Sequence, residues 1–110
     1  MIMMYNIIVL ANKRKDYKPK PKTSKRFERV FKGVANYHRI DALLLIEKNP
    51  GITLEGIVES MQCNYQTTAE HINRLRNAGL ITKKYQGKAV IHSLSPYGSR
   101  MTKVIKTLLD

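Results

Sequence analysis

The sequence predicts a mainly α fold with one small β-hairpin, an α+β chain in the order α-α-α-α-β-β-α. Three observations lead there. Residues 52–81, ITLEGIVESMQCNYQTTAEHINRLRNAGLI, read as helix, tight turn, helix and glycine stop. A strand-turn-strand pattern follows at once, over residues 81–94. Apolar residues at helical spacing lie on both sides of this block. A length of 110 residues fits one domain.

The chain opens on Met1–Leu10, MIMMYNIIVL. This run is too short to span a bilayer, which takes about 20 residues. It has no charged start of a signal peptide, because its basic residues come after the apolar run. It has two readings: a short element covering a partner subunit, or a translated extension ahead of a start at Met3 or Met4. Residues 11–25, ANKRKDYKPKPKTSK, are lysine-rich, hold two prolines and lack apolar periodicity. They predict a flexible or polyproline-like arm. Such an arm either follows phosphates without reading sequence or serves as a solubilising linker. The folded domain is therefore placed at 26–110, after an N-terminal segment of 1–25.

Phe27, Val30, Phe31 and Val34 give the first helical stripe. A second helix is expected near Tyr37–Lys48, with Ile40, Ala42, Leu43, Leu44 and Ile46 buried, and Asn49-Pro50-Gly51 stops it. Arg39 either reaches a phosphate or pairs with Asp41 or Glu28. The third helix begins after Thr53, whose hydroxyl can cap it. Leu54, Ile57, Val58 and Met61 form its apolar stripe. Gly56 inside it should cost about 1 kcal/mol relative to alanine, which points to a neighbour in close approach. The turn is Gln62-Cys63-Asn64. Asn64 caps a fourth helix running from Tyr65 to about Asn77, and Gly79 ends it.

At about 100° per residue, Thr68, Ile72 and Leu75 of the fourth helix point inward. Gln66, Ala69, Glu70 and Asn73 point outward. Ile81–Gln86 and Ala89–Leu94 form two strands around Gln86-Gly87-Lys88, where glycine permits the positive φ of a hairpin tip. The last helix has Ser95 as cap and Pro96 at its first position. Met101, Val104, Ile105, Leu108 and Leu109 make its apolar strip. That strip either packs on its own domain or meets a second copy.

Helix, turn, helix and hairpin in this order are the parts of a winged helix-turn-helix. Such a fold lays the second helix of the pair in the major groove, its N-terminal residues at the base edges. Tyr65, Gln66, Thr67, Ala69, Glu70 and Asn73 are the candidate base contacts. Gln and Asn can bond adenine in two places, and a small Ala can touch a thymine methyl. Glu70 is tolerated there only if it accepts from cytosine or pairs with Arg74. Arg74, on the flank, and Lys83, Lys84 and Lys88, on the hairpin, are the candidate phosphate contacts. The alternative readings are an ordinary solvated helix face and a charged edge that discourages strand pairing. A net charge of +12 and a pI near 10 favour a polyanionic partner. Nucleic acid leads, and an anionic membrane surface is the alternative. No tryptophan and two phenylalanines leave no obvious stacking platform for single strands.

Residues 52–81 align without a gap to the helix-turn-helix of ArsR-like winged-helix repressors, and more loosely to MarR-like ones. The matching residues are Thr67, His71, Ile72, Leu75 and Ala78-Gly79-Leu80-Ile81. Residues 31–40, FKGVANYHRI, resemble the start of that family's second helix, and Leu94-Ser95-Pro96-Tyr97-Gly98 resembles its link from wing to last helix. The resemblance covers residues 26–109. It implies a transcriptional regulator, a repressor by analogy, in the cytoplasm at the nucleoid. It also implies a twofold dimer in which the last helix pairs with its copy and with the first helix. Phe27, Phe31, Met101, Val104, Ile105, Leu108 and Leu109 are then the interface. There are departures. The family usually has glycine where this chain has Gln62, which predicts a less sharp turn. It often has serine or proline near Gln66 and serine at Ala69. The cysteine pair of its metal-sensing branch is missing from 54–61, and 96–109 lacks the His and carboxylates of another metal-binding branch. A non-metal member is implied.

Catalysis has little support. Cys63 is the single cysteine, which rules out an intrachain disulfide and a cysteine-rich zinc site. His38, His71 and His92 fall on three different elements. No glycine-rich phosphate loop or nucleophile motif occurs. The expectation is a non-enzyme without cofactor or metal, with double-stranded DNA and a second copy of itself as partners. The competing class is a winged helix that coats DNA, binds RNA or docks a protein through its basic arm.

Overall fold

The computed structural model describes residues 21–109. Residues 1–20, including the apolar start and most of the basic arm, lie outside the described residues. Helix α1 spans Pro21–Val34 and α2 Tyr37–Lys48. A two-residue strand β1, Ile52–Thr53, leads into α3, Leu54–Met61, and α4, Tyr65–Asn77. Strands β2, Ile81–Gln86, and β3, Ala89–Leu94, form the hairpin, and α5 spans Pro96–Leu109. The expected order is observed, with β1 added.

The caps set these boundaries. Asn36 accepts from the backbone N–H groups of His38 and Arg39 at 2.9 and 3.2 Å and starts α2. Thr53 Oγ1 accepts from Gly56 N at 3.1 Å and starts α3. Asn64 Oδ1 accepts from Gln66 N and Thr67 N at 2.7 and 3.2 Å and starts α4. Gly79, at φ +79°, ends α4: its N–H bonds Arg76 O at 2.9 Å, and Leu80 N–H bonds Leu75 O at 3.0 Å. Those paired bonds make a Schellman motif. Ser95 Oγ accepts from Gly98 N at 3.0 Å and donates to Gly79 O at 2.6 Å, tying the start of α5 to the end of α4.

The core sits where α2, α3, α4 and the base of the hairpin converge. Leu43, Ile46, Ile57, Leu75 and Leu80 are fully buried there. Ala42 is also buried as expected, whereas Ile40 and Leu44 are half-buried. In α3 only Ile57 is fully enclosed, with Leu54, Val58 and Met61 half-buried. Packing of these apolar faces is what makes short helices hold, since about 12 residues of isolated helix are marginal in water.

Several expectations need correction. The arm does not extend to residue 25, because α1 begins at Pro21. Proline lacks the N–H that a first-turn position leaves unpaired anyway, so it starts a helix where its neighbours suggested coil. The α1 stripe divides: Val30 and Val34 are buried, while Phe27 and Phe31 are 47% and 56% exposed. Strand β1 pairs with β3 in the register Ile52↔His92 and Thr53↔Ile91, giving a three-stranded sheet in the order β1-β3-β2. Two residues are too few to show a period of two. Gly56 is explained by this strand, since a Cβ there would lie 2.9 Å from Ile52 Cγ1.

The turn between α3 and α4 is also sharper than the missing glycine suggested. Gln62 takes the left-handed conformation itself, at φ +54°, and its N–H bonds Val58 O. A left-handed L-residue costs about 1–2 kcal/mol, partly offset by the greater entropy glycine loses on folding. Gln62→Gly should therefore raise stability by about 0.5 kcal/mol, read as a higher urea midpoint with unchanged slope.

Candidate nucleic-acid interface

Helix α4 turns Thr68, Ile72 and Leu75 into the core, as its periodicity predicts. Gln66, Glu70 and Asn73 stand exposed on the opposite face. Tyr65 and Thr67, in its first turn, are also exposed, while Ala69 is half-buried on the side toward the hairpin. Glu70 pairs with Arg74 at 3.3 Å, one turn along. Both ends of that pair are exposed, so it adds at most about 1 kcal/mol to stability and leaves the arginine free to exchange partners.

The hairpin is tight. Gln86 pairs with Ala89, leaving Gly87 and Lys88 as a two-residue loop. Gly87 has φ +62° and Lys88 a negative φ, the pattern of a type II′ turn. The pleat then decides which lysines meet α4. Lys83 and Lys88 line a groove of about 320 Å³ between α4 and the hairpin, with Tyr65, Asn73 and Arg76 on the helix side. Lys84, next to Lys83 in β2, points to the other face of the sheet and does not line that groove. Of the three hairpin lysines, Lys83 and Lys88 thus share the groove with α4 and Lys84 does not. Arg76 takes the place of Lys84 in the groove. Sequence stepping would have found it, since Arg76 falls about three helical turns beyond Tyr65 and about two beyond Ala69, on the same side. Glu55 is the one carboxylate on the groove wall. Lys83 Nζ rests 5.7 Å from the centre of the Tyr85 ring, an interaction worth about 0.5–1 kcal/mol at an exposed site.

On the other flank, Arg39 makes neither of the expected ion pairs. It is 9% exposed. Its Nε donates to Gly33 O at 2.6 Å, one terminal nitrogen to Lys32 O at 3.4 Å and the other to His71 Nδ1 at 3.2 Å. Arg39 therefore caps the C-terminal carbonyls of α1, where a cation also meets the negative end of the helix dipole, and joins that cap to α4. A guanidinium only donates, so His71 Nδ1 accepts and its Nε2 carries the hydrogen. Both readings of Arg39 from sequence needed an exposed side chain.

His38 and His71 lie on different helices, yet their rings stack at 5.5 Å. Cys63, half-buried, contacts His38 Nδ1 at 3.9 Å. His92 is buried in the hairpin and bonds Ile52 O through Nδ1 at 3.1 Å. The pKa of His71 lies below the ordinary histidine value, first through burial, then through the charges of Arg39 and His38. The unfolded chain thus takes up this proton more readily than the folded one. The stability from neutral His71 is complete above about pH 6.5 and is lost as pH falls through its lowered folded value. Thermal melts over roughly pH 7.5 to 5 should show a falling Tm, and His71→Gln should flatten the fall.

The apolar interface candidates separate in the structure. Met101 and Ile105 pack partly against the domain's own core. Val104, Leu108 and Leu109 remain 50%, 75% and 75% exposed. Lys106 on the polar side of α5 bonds Glu47 of α2. Among the described residues, no group of His, Cys, Asp and Glu gathers as a metal site, and no helix is long and apolar enough to cross a membrane.

No protein-family model matches the chain, and no curated protein matches it in sequence. Solved structures do match its fold. The homodimeric winged helix-turn-helix DNA-binding domain of a possible ArsR-family transcriptional regulator from Mycobacterium bovis superposes with a TM-score of 0.74 at 19% identity. That match covers 86% of this chain and 90% of the other. HlyU from Vibrio cholerae matches with a TM-score of 0.72 at 20% identity, over 81% of this chain and 97% of its own. FabT from Streptococcus pneumoniae, in complex with DNA, matches with a TM-score of 0.60 at 18% identity, over 64% of this chain and 51% of its own. Together with the helix-turn-helix and hairpin described above, these matches show that the chain has a winged helix-turn-helix fold.

Proposed function

We propose that the protein is a sequence-specific, double-stranded-DNA-binding transcriptional regulator that acts as a homodimer and represses by occupying its site. The observation that carries this reading is the outer face of α4. Gln66, Glu70 and Asn73 stand clear of the fold, beside a groove lined by Arg76, Lys83 and Lys88. Amide side chains suit base edges, and a cationic border suits phosphates. The DNA-bound FabT and the homodimeric M. bovis domain support the two halves of the reading. For the dimer, the exposed Phe27 and Phe31 of α1 and Val104, Leu108 and Leu109 of α5 supply apolar surface that a second copy would cover. Met101 and Ile105, which also serve the domain's own core, would lie behind it.

The test compares wild type with Gln66→Ala and Asn73→Ala on a selected duplex and on random duplex. Each variant should lose about 1–3 kcal/mol of discrimination while keeping its affinity for random DNA. Discrimination that survives both changes would remove α4 from the major groove. A protein that never discriminates, and loses its affinity with the basic arm, would instead be a phosphate-led DNA or RNA coater.

A further inference from the structure

We infer that a second phosphate-binding cleft lies on the flank of α4 opposite the wing, formed by Arg29 and Lys32 of α1 with Arg74 of α4. It takes the DNA strand that the wing does not hold. This rests on the major-groove reading of α4 above. A helix about 10–12 Å across nearly fills a major groove about 12 Å wide, so a sugar-phosphate backbone runs along each of its flanks. The hairpin can reach only one of them.

On the other flank the structure holds an open cleft of about 440 Å³ bordered by Glu28, Arg29, Lys32, Arg74 and Asn77. Its floor is the contact between Gly33 and Ala78, which also line the cleft. A Cβ on Gly33 would lie 2.4 Å from Ala78 Cβ. Glycine therefore lets the two helices approach closely, and the basic last turns of α1 are held against the side of α4. The C-terminal end of a helix ordinarily repels an anion. Here the Arg39 guanidinium donates to the carbonyls of Lys32 and Gly33 and offsets that end.

The cations are available. Lys32 reaches Glu28 at 3.7 Å and Arg74 reaches Glu70 at 3.3 Å, both as exposed pairs one turn apart. Exposed pairs of this kind hold by about 0–1 kcal/mol, which a phosphate can displace. Arg29 has no carboxylate partner among the described residues. Three cations face two carboxylates, and both carboxylates sit one helical turn from the cation they pair with rather than across the cleft.

The test measures affinity for the selected duplex and for random duplex across a salt series, with the full chain. Removing one cation that binds a phosphate should lower the salt slope by about 0.9. Arg29→Ala with Lys32→Ala should therefore lower it by about 1.8, so that between 50 and 200 mM salt the affinity of wild type falls about twelvefold further than that of the variant. Discrimination between the two duplexes should stay as in wild type. Arg29→Lys with Lys32→Arg should keep the wild-type slope, which separates charge from packing. If the alanine pair unfolds by circular dichroism, the single glutamine variants are used, each with an expected decrease of about 0.9. Unchanged slope and affinity in variants of a protein that does bind duplex would overturn this cleft and leave the function above standing. Wild type that binds no duplex would overturn both.

Discussion

Gly98→Ala should destabilise the domain by about 3 kcal/mol or more, seen as a large drop in urea midpoint. A Cβ at this position would lie 1.9 Å from the carbonyl oxygen of Leu80 and 3.0 Å from its carbonyl carbon. The obstruction is backbone, so no rotamer change relieves it. That carbonyl is also engaged, since it accepts from Ser95 N–H at 3.1 Å. Displacing it would pull on the link that holds α5 to the end of α4 through Ser95 and Gly79. The neighbouring Ser99→Ala, at an exposed position, should stay within about 0.5 kcal/mol. Equal effects at the two positions would refute the close crossing of α5 over the base of the hairpin.

Arg39→Leu should cost about 3 kcal/mol, because hydrogen bonds to a charged group contribute about 1.5–3 kcal/mol and their loss strands buried partners. The Lys32 and Gly33 carbonyls and His71 Nδ1 would all lose their donor. The substitution should also move the His71 titration upward, measured by NMR, since Arg39 is one cause of its lowered value. It should not restore the ordinary value, because burial is the larger cause. A large loss of stability without any movement of His71 would mean that the two side chains are not coupled.

These two positions also show where the sequence stopped being readable. Local signals carried the helix-turn-helix and the hairpin. Asn64, Gly79 and, through its bond to Gly98, Ser95 cap their helices by bonds two to five residues long, so their types predict the boundaries seen. The two-residue hairpin loop was readable for the same reason. Packing between distant segments left no such mark. Gly98 matters because of Leu80, and Arg39 because of Gly33 and His71, and nothing in the spacing of those residues shows it. Gln62 adopts a left-handed turn that its residue type does not favour. Helical periodicity also cannot tell which apolar residues face the core and which face outward when a stripe is wide. Phe27 and Phe31 differ from Val30 and Val34 only in which neighbour meets them.

The candidate site divides along the same line. Gln66, Glu70 and Asn73 were readable because a face on one helix is a matter of angle. The separation of Lys84 from Lys83, the place of Arg76 in the groove and the cleft beside Arg29 all depend on how elements pack.

The most direct test of the central claim is selection of bound sequences from a random duplex DNA pool at about 0.15 M salt, enough to screen loose contacts. A sequence-specific dimeric regulator should enrich an inverted repeat, with half-sites about one helical turn or roughly 34 Å apart, or a multiple of that. A folded protein that retains duplex but enriches no motif, or that retains none, would contradict it.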